Sequence, residues 1–306
     1  LSDMPENFEL VRPENRDDAH AVALEYLRKT DLPKLKNFHV NSNTKKPDTA
    51  KTWREYFGQQ NNLHCLVTNC GKTRVLVIHD ILQSSNSLKS LIGTLADAEY
   101  EVIAPDLPGH GLANILSDTF IEELTNNLNA ADKLPDYILT IGQSAAMGPQ
   151  LKKVFQTAKL INFDFFKPAS EKSEAFTQNY MPDMTAQKYG GHLLTGWSFL
   201  RMKNLFWPWY EEKKENIIAA HPDSQPHVLQ TDFVALMQTT KVGYQLAHQL
   251  LHSAVTDKHE VDISVCPDWV KTRNDIALGS DNVAFYDSET NGHTALVELL
   301  KSLSDK

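Results

Sequence analysis

Residues 102–111 read VIAPDLPGHG, a short apolar strand that breaks into a turn built from Pro105, Pro108, Gly109 and Gly111. By composition the second half is only a loop, because proline and glycine interrupt both helix and sheet. Its neighbours give it meaning. On the N-terminal side LHCLVTN and RVLVIHD (74–80) are strand-like runs joined by a glycine-containing turn. On the C-terminal side come YILTIG (137–142) and KLINFDFF (159–166). Between them, 87–98 and 119–131 have apolar residues at helical spacing. Strands alternating with amphipathic helices predict an α/β fold, a mostly parallel sheet with helices on both faces.

The strand signal stops near 169. GGHLLTGWSFLRMKNLFWPWY (190–210) and TDFVALMQTTKVGYQLAHQLL (231–251) carry helical patterns, so 169–255 is expected to be an inserted all-helical cap. After it CPDWVKTRND (266–275) and VAFYD (283–287) read as strands and HTALVELLKSL (293–303) as a helix. The core is thus expected over 61–168 and 256–306. Residues 1–60 form an N-terminal extension with an amphipathic helix over 16–29 and a loop over 41–51. That extension is expected to extend the sheet, cover the cap or make a homodimer contact.

The bulk numbers exclude some partners. The 306 residues are 41% apolar and 23% charged, with a net charge of −9, as in an ordinary globular protein. Nucleic acid is not an expected partner, since phosphate binding needs clustered Lys and Arg. The apolar runs are strand-length, short of the ~20 residues of a membrane span. Cys65, Cys70 and Cys266 are too few for a disulfide framework and form no C-x-x-C pair, so a reducing compartment, by default the cytoplasm, is expected.

LTIGQSAAMG (139–148) carries the chemistry. Gly142-x-Ser144-x-Ala146 is close to the G-x-S-x-G elbow, a strained strand-to-helix turn that lifts a serine hydroxyl above the sheet. Taken alone, the same residues also describe a strand running into an alanine-rich helix. Two other features bear on it: His79-Asp80 directly after a strand, and a late Gly292-His293 that could supply a general base. His79 and Asp80 read equally well as hydrogen-bonding residues that tie down their loop.

Taken in order, VLVIHD, APDLPGHG, IGQSAAM and Gly292-His293 resemble the α/β-hydrolase fold family over about 62–168 and 260–305. The resemblance implies Ser144 as nucleophile and His293 as its base. It implies an oxyanion hole from the amides of Ala145 and Ile81, with Leu82 as alternative donor. The acid is ranked Asp275, then Asp164, Asp268 and Asp287. His79, Asp80, Gln143 and Trp197 are expected at the substrate site, under an aromatic cap that implies an apolar pocket. A serine nucleophile argues against the dehalogenases and epoxide hydrolases of this fold, which use a carboxylate. The expected activity is therefore hydrolysis of an ester, thioester or lactone of an apolar small molecule through an acyl-enzyme, with no metal and no organic cofactor. Carbon–carbon cleavage, lyase or acyltransferase chemistry stays open. So does a binding protein that has kept the fold and lost catalysis, because Asp80 and Ala146 stand where the family carries glycine, and Asp80 puts negative charge beside a site meant to stabilise one.

Overall fold

A computed structural model of the chain describes residues 53–57 (backbone), 63–68, 71–113, 115, 117–168, 172–218, 226–253, 261–288 and 292–304. The expected helix over 16–29 and loop over 41–51 lie outside these residues. Eight strands form the main sheet: β1 (Trp53–Phe57), β2 (His64–Thr68), β3 (Arg74–Ile78), β4 (Glu101–Pro105), β5 (Tyr137–Ile141), β6 (Lys159–Phe163), β8 (Ile263–Pro267) and β10 (Val283–Tyr286). Their order is β1-β2-β4-β3-β5-β6-β8-β10. β2 is antiparallel to both neighbours, and every other pairing is parallel. A second, two-stranded antiparallel sheet joins β7 (Phe166–Pro168) to β9 (Ile276–Leu278).

The strand residues divide by parity, as the two-residue period of a pleated strand requires. Val75, Val77, Val102, Ala104, Leu139 and Ile161 face one layer, with Leu91, Ile92 and Leu95 of α1 (Lys89–Asp97) and Leu296 and Leu300 of α8 (Gly292–Ser304). Leu76, Ile78, Ile103, Ile138 and Leu160 face the other, with Phe120, Leu124 and Leu128 of α2 (Phe120–Ala130) and Leu151 of α3 (Gly148–Val154). Each fully buried aliphatic side chain contributes roughly 1.5–3 kcal/mol.

Between β7 and β8 the chain leaves the sheet through α4 (Ser173–Asn179), α5 (Gly191–Lys203), α6 (Pro226–Gln238) and α7 (Lys241–His252). No helix among the described residues is long and apolar enough to cross a membrane.

Two expected elements differ. The strand anticipated at 266–275 ends at Pro267 and turns through Asp268–Thr272, because its apolar run lies earlier, in ISVC. The expected helix over 231–251 is two, separated at Thr239-Thr240, where the Thr240 hydroxyl accepts the Gly243 amide and caps α7.

Topology fixes where a ligand can sit. From β3 the chain moves to β4 on one side and then to β5 on the other, and parallel sheets bind ligands at such a switch point, beyond the strands' carboxyl ends. The loop after β3, the APDLPGHG loop after β4 and the turn after β5 all leave the sheet at that edge.

Candidate ligand cavity at the strand switch point

The APDLPGHG loop is built around Asp106, which is fully buried. Its carboxylate lies 2.6 Å from Nδ1 of His64 and accepts the amides of Ser85 at 2.7 Å and Leu112 at 2.9 Å. Gly111, at φ +52, leaves no room for a side chain, since a Cβ there would run into that carboxylate. Gly109, at φ +71, packs on Gly243, and its carbonyl accepts the Thr240 amide at 2.8 Å. The glycines thus let the loop carry α7 against the core.

Burial pushes the Asp106 carboxyl up, but the His64 bond and the two amides outweigh it and bring its pKa to about 2. A carboxylate held below its ordinary 3.8 contributes stability above that value and loses it as the pH falls through about 2. Urea unfolding between pH 4 and 2 should therefore show the native chain losing about 2 kcal/mol that Asp106→Asn does not lose.

His79 is fully buried. Its Nδ1 donates to the Asp80 carbonyl at 2.7 Å and its Nε2 accepts the Leu107 amide at 2.9 Å. Burial holds the ring neutral, below its ordinary pKa, which this donor–acceptor pairing requires. His79 therefore ties the loop after β3 to the loop after β4.

Asp80 faces the turn after β5. Its Oδ1 accepts the amide of Ile81 at 2.9 Å and that of Gln143 at 2.8 Å. Its Oδ2 accepts the Lys203 ammonium of α5 at 2.7 Å. Burial works against that ammonium, but Asp80, Tyr180 and Asp232 around it shift its pKa upward. Tyr180 is pushed by burial to about 12. The carboxylate of Asp80 thus occupies two amides, one from each loop.

The sharp residue of the turn is Gly142, at φ +54. A Cβ built on it would fall 2.5–2.7 Å from the carboxyl atoms of Asp80. In a nucleophile elbow that strained position carries the reactive side chain, and in this turn it is held by Gly142, two residues before Ser144. Ser144 is fully buried and looks back into the sheet. Its hydroxyl lies 2.8 Å from the Ile141 carbonyl and 3.2 Å from that of Ile78, and accepts the Ile141 amide at 3.1 Å.

Above this turn, between the sheet and the inserted helices, lies a cavity of about 590 Å³, within the usual range of small-molecule sites. Asp80, Gln143, Asp164, Lys203, Asp232 and His293 bring polar groups to its wall, and Ile141 and Gly142 reach it too. Among the residues expected at the site, Asp80, Ile81, Gln143, Asp164 and His293 come together here. Ser144, Ala145, His79, Trp197, Asp268 and Asp275 do not line it.

The carboxylates have separate engagements. Asp275 is clamped by Arg273 at 2.7 and 2.9 Å and faces Lys172 at 3.5 Å, which holds it at about 2. Arg273 also reaches the carbonyls of Trp207 and Glu215, so this pair fastens the end of the inserted segment. Asp268 accepts the Ser288 amide and hydroxyl at 3.2 and 2.8 Å. Asp164, at φ +55, accepts the Tyr286 hydroxyl at 2.8 Å and shares the cavity wall with His293. His293 opens α8 with Nδ1 3.4 Å from the Ser90 hydroxyl and its ring 6.3 Å from Phe163. Gly292 is small because a Cβ there would meet the Tyr286 ring at 2.9 Å. Trp197 stands edge-on to Phe233 of α6 at 5.5 Å. The buried thiols of Cys65 and Cys266 are both pushed up by burial, Cys65 to about 12.

Lys203, Tyr180 and Asp232 were not anticipated. All lie in the segment read only as helical, where a lysine within an apolar run, FLRMKNLF, is the one visible sign of a buried partner.

No protein-family model matches the chain, and no curated protein does. Solved structures do. Epoxide hydrolase A from Mycobacterium thermoresistibile aligns with a TM-score of 0.55 at 13% identity, over 82% of this chain and 98% of its own. A variant of potato epoxide hydrolase aligns at 0.53 and 16% identity, over 83% and 98%. Bromoperoxidase from Bacillus anthracis aligns at 0.52 and 13% identity, over 82% and 96%. The chain has the α/β-hydrolase fold.

Proposed function

We propose that this α/β-hydrolase-fold chain holds a largely apolar small molecule in the cavity above Gly142 and does so without forming an acyl-enzyme on Ser144. The observation that carries this reading is the Asp80 carboxylate on the amides of Ile81 and Gln143. A tetrahedral oxyanion would need those same donors, and a carboxylate already seated there repels it. The inward hydroxyl of Ser144 and the missing side chain at Gly142 support the same conclusion.

Incubation with a fluorophosphonate probe tests it. The native chain should label no faster than its heat-unfolded control, and Ser144→Ala should behave identically toward the probe. That variant should lose about 1–2 kcal/mol in urea unfolding, because the Ile141 amide loses its acceptor. Labelling of the native chain that disappears in Ser144→Ala would overturn the reading and restore the serine hydrolase.

A second reading rests on the same carboxylate. With Oδ1 held by two amides, Oδ2 of Asp80 could attack an electrophilic carbon, as carboxylate nucleophiles of this fold do. The leaving oxygen or halide would depart, and water activated by His293 would cleave the resulting ester at its carbonyl. The Lys203 ammonium on Oδ2 opposes this. Turnover of an alkyl epoxide in heavy-oxygen water would place label in the Asp80 peptide if this reading holds, and none if it fails.

A further inference from the structure

Beyond the absence of an acyl-enzyme, the cavity wall says which chemistry its occupant brings. Six aromatic side chains, Phe166, Tyr180, Phe199, Trp207, Trp209 and Trp269, line one cavity with Gln143 and Asp232. Several interlock: Phe166 meets Trp207 at 5.3 Å and Trp269 at 5.2 Å, and Phe199 meets Trp209 at 4.9 Å. The polar end is short of donors. Oε1 of Gln143, a residue only 3% exposed, is buried and meets no donor among the described residues. Oδ1 of Asp232 is likewise without a donor among the described residues, while its Oδ2 is 3.4 Å from the Gln83 amide and the Ser87 hydroxyl also bonds this carboxyl, which burial pushes up from its ordinary pKa. Lys203 bonds Asp80 and the Gln143 side-chain amide reaches the Phe166 carbonyl at 3.4 Å, so neither donor is spare. Inside the cavity Asp80, Asp164 and Asp232 face the half-buried ammonium of Lys203, with Lys89 exposed at the rim.

Buried acceptors without donors are costly, and a ligand that supplies the missing protons recovers that cost. A positive charge also answers the surplus of carboxylates and is attracted by aromatic faces. We infer that the cavity binds a protonated primary amine on a flat apolar body, its N–H groups directed at Gln143 Oε1 and Asp232 Oδ1 and its body among the aromatic rings. This rests on the proposed non-covalent binding role and names its ligand class. An anionic ligand would meet Asp80 and Asp232, with Lys203 already bonded to Asp80 and Lys89 only at the rim, and a neutral alcohol would satisfy at most one of the two acceptors.

The test compares three near-isosteric probes on the full chain by titration calorimetry, with tryptophan fluorescence as a second readout: 2-(2-naphthyl)ethylamine, 2-(2-naphthyl)ethanol and 2-naphthylacetate. The amine should bind at least about 10-fold tighter than the alcohol, and the carboxylate weakest, since a charged hydrogen bond is worth about 1.5–3 kcal/mol, or 10-fold and more. Asp232→Asn should erase most of the amine's advantage over the alcohol, and Gln143→Met should lower amine affinity more than alcohol affinity. Comparison of the three probes on the native chain needs no variant, so a variant that fails to fold does not rescue the inference. Equal or weaker binding of the amine, absence of binding by all three, or an amine preference unchanged in a folded Asp232→Asn overturns it. Fluorophosphonate labelling addresses the non-covalent role separately, so the two can fail independently.

Discussion

Exchanging Asp80 for Gly and Gly142 for Ser together is expected to turn a chain that ignores fluorophosphonates into one that they label, while neither single change does so. Gly142→Ser alone puts an L side chain at φ +54, and its Cβ falls 2.5–2.7 Å from the Asp80 carboxyl atoms. The left-handed conformation costs about 1–2 kcal/mol, and overpacking adds about 1–3 kcal/mol. Asp80→Gly alone frees the amides of Ile81 and Gln143 but supplies no nucleophile, and it strands Lys203. Lys203→Met should therefore be carried in every Asp80→Gly background. In the combined variant the serine occupies the space the carboxylate leaves, so its loss of stability should be smaller than the sum of the single losses, as for residues in contact. With two amides free to hold the oxyanion, labelling should run at least ~100-fold faster than in the Gly142→Ser variant, the scale of an oxyanion-hole donor. A cooperatively folding variant that stays unlabelled would show that Gly142 is not the nucleophile position of this turn.

That exchange also explains what the sequence alone left unread. The sheet was legible because its residues alternate by parity and its helices by 3.6, and Val75, Leu76, Val77 and Ile78 carry the first pattern without interruption. The elbow frame was not. A shift of two residues leaves strand parity unchanged, so Thr140-x-Gly142-x-Ser144 and Gly142-x-Ser144-x-Ala146 are indistinguishable by periodicity, and only the backbone angle at Gly142 separates them. The amide that meets Asp80 Oδ1 beside that of Ile81 is Gln143's, where the sequence pointed to Ala145 as the donor of this turn. Asp80 held the missing information: a carboxylate in the oxyanion loop is compatible with an elbow that carries no anionic chemistry, so its departure from glycine and the glycine at 142 are two halves of one contact. The surroundings of Asp268 and Asp275 were hidden for another reason. β8 ends at Pro267 because Asp268 begins a turn, and Asp275, two residues beyond Arg273, is taken up by a local ion pair that spacing could not reveal. Lys203 and Asp232 reach the cavity only through tertiary packing of helices whose apolar faces gave no register.

Removing the ammonium should be the most damaging single change to the core. Asp80 is buried, 8% exposed at its side chain, and Lys203, 29% exposed, is its charged partner at 2.7 Å. Breaking a buried pair from one side strands the other charge, typically at 3–5 kcal/mol. The partial exposure of Lys203 and the two amides on Oδ1 place Lys203→Met near the low end, about 3 kcal/mol in urea unfolding. Asp80→Asn in the same background should recover most of that, because an amide needs no counter-charge, and the resulting coupling energy measures the pair directly. The pH dependence has a definite sign. A lysine whose pKa is raised on folding contributes its stability below the unfolded value and loses it only as the pH rises through the folded one. The gap between native and Lys203→Met should therefore stay constant from pH 6 to about 10 and begin to narrow only above the pKa of a free lysine, as the pH rises toward the higher folded value. A gap that closed near neutral pH would mean that Lys203 is not protonated in this pair. Asp80 would then sit on the amides without a counter-charge.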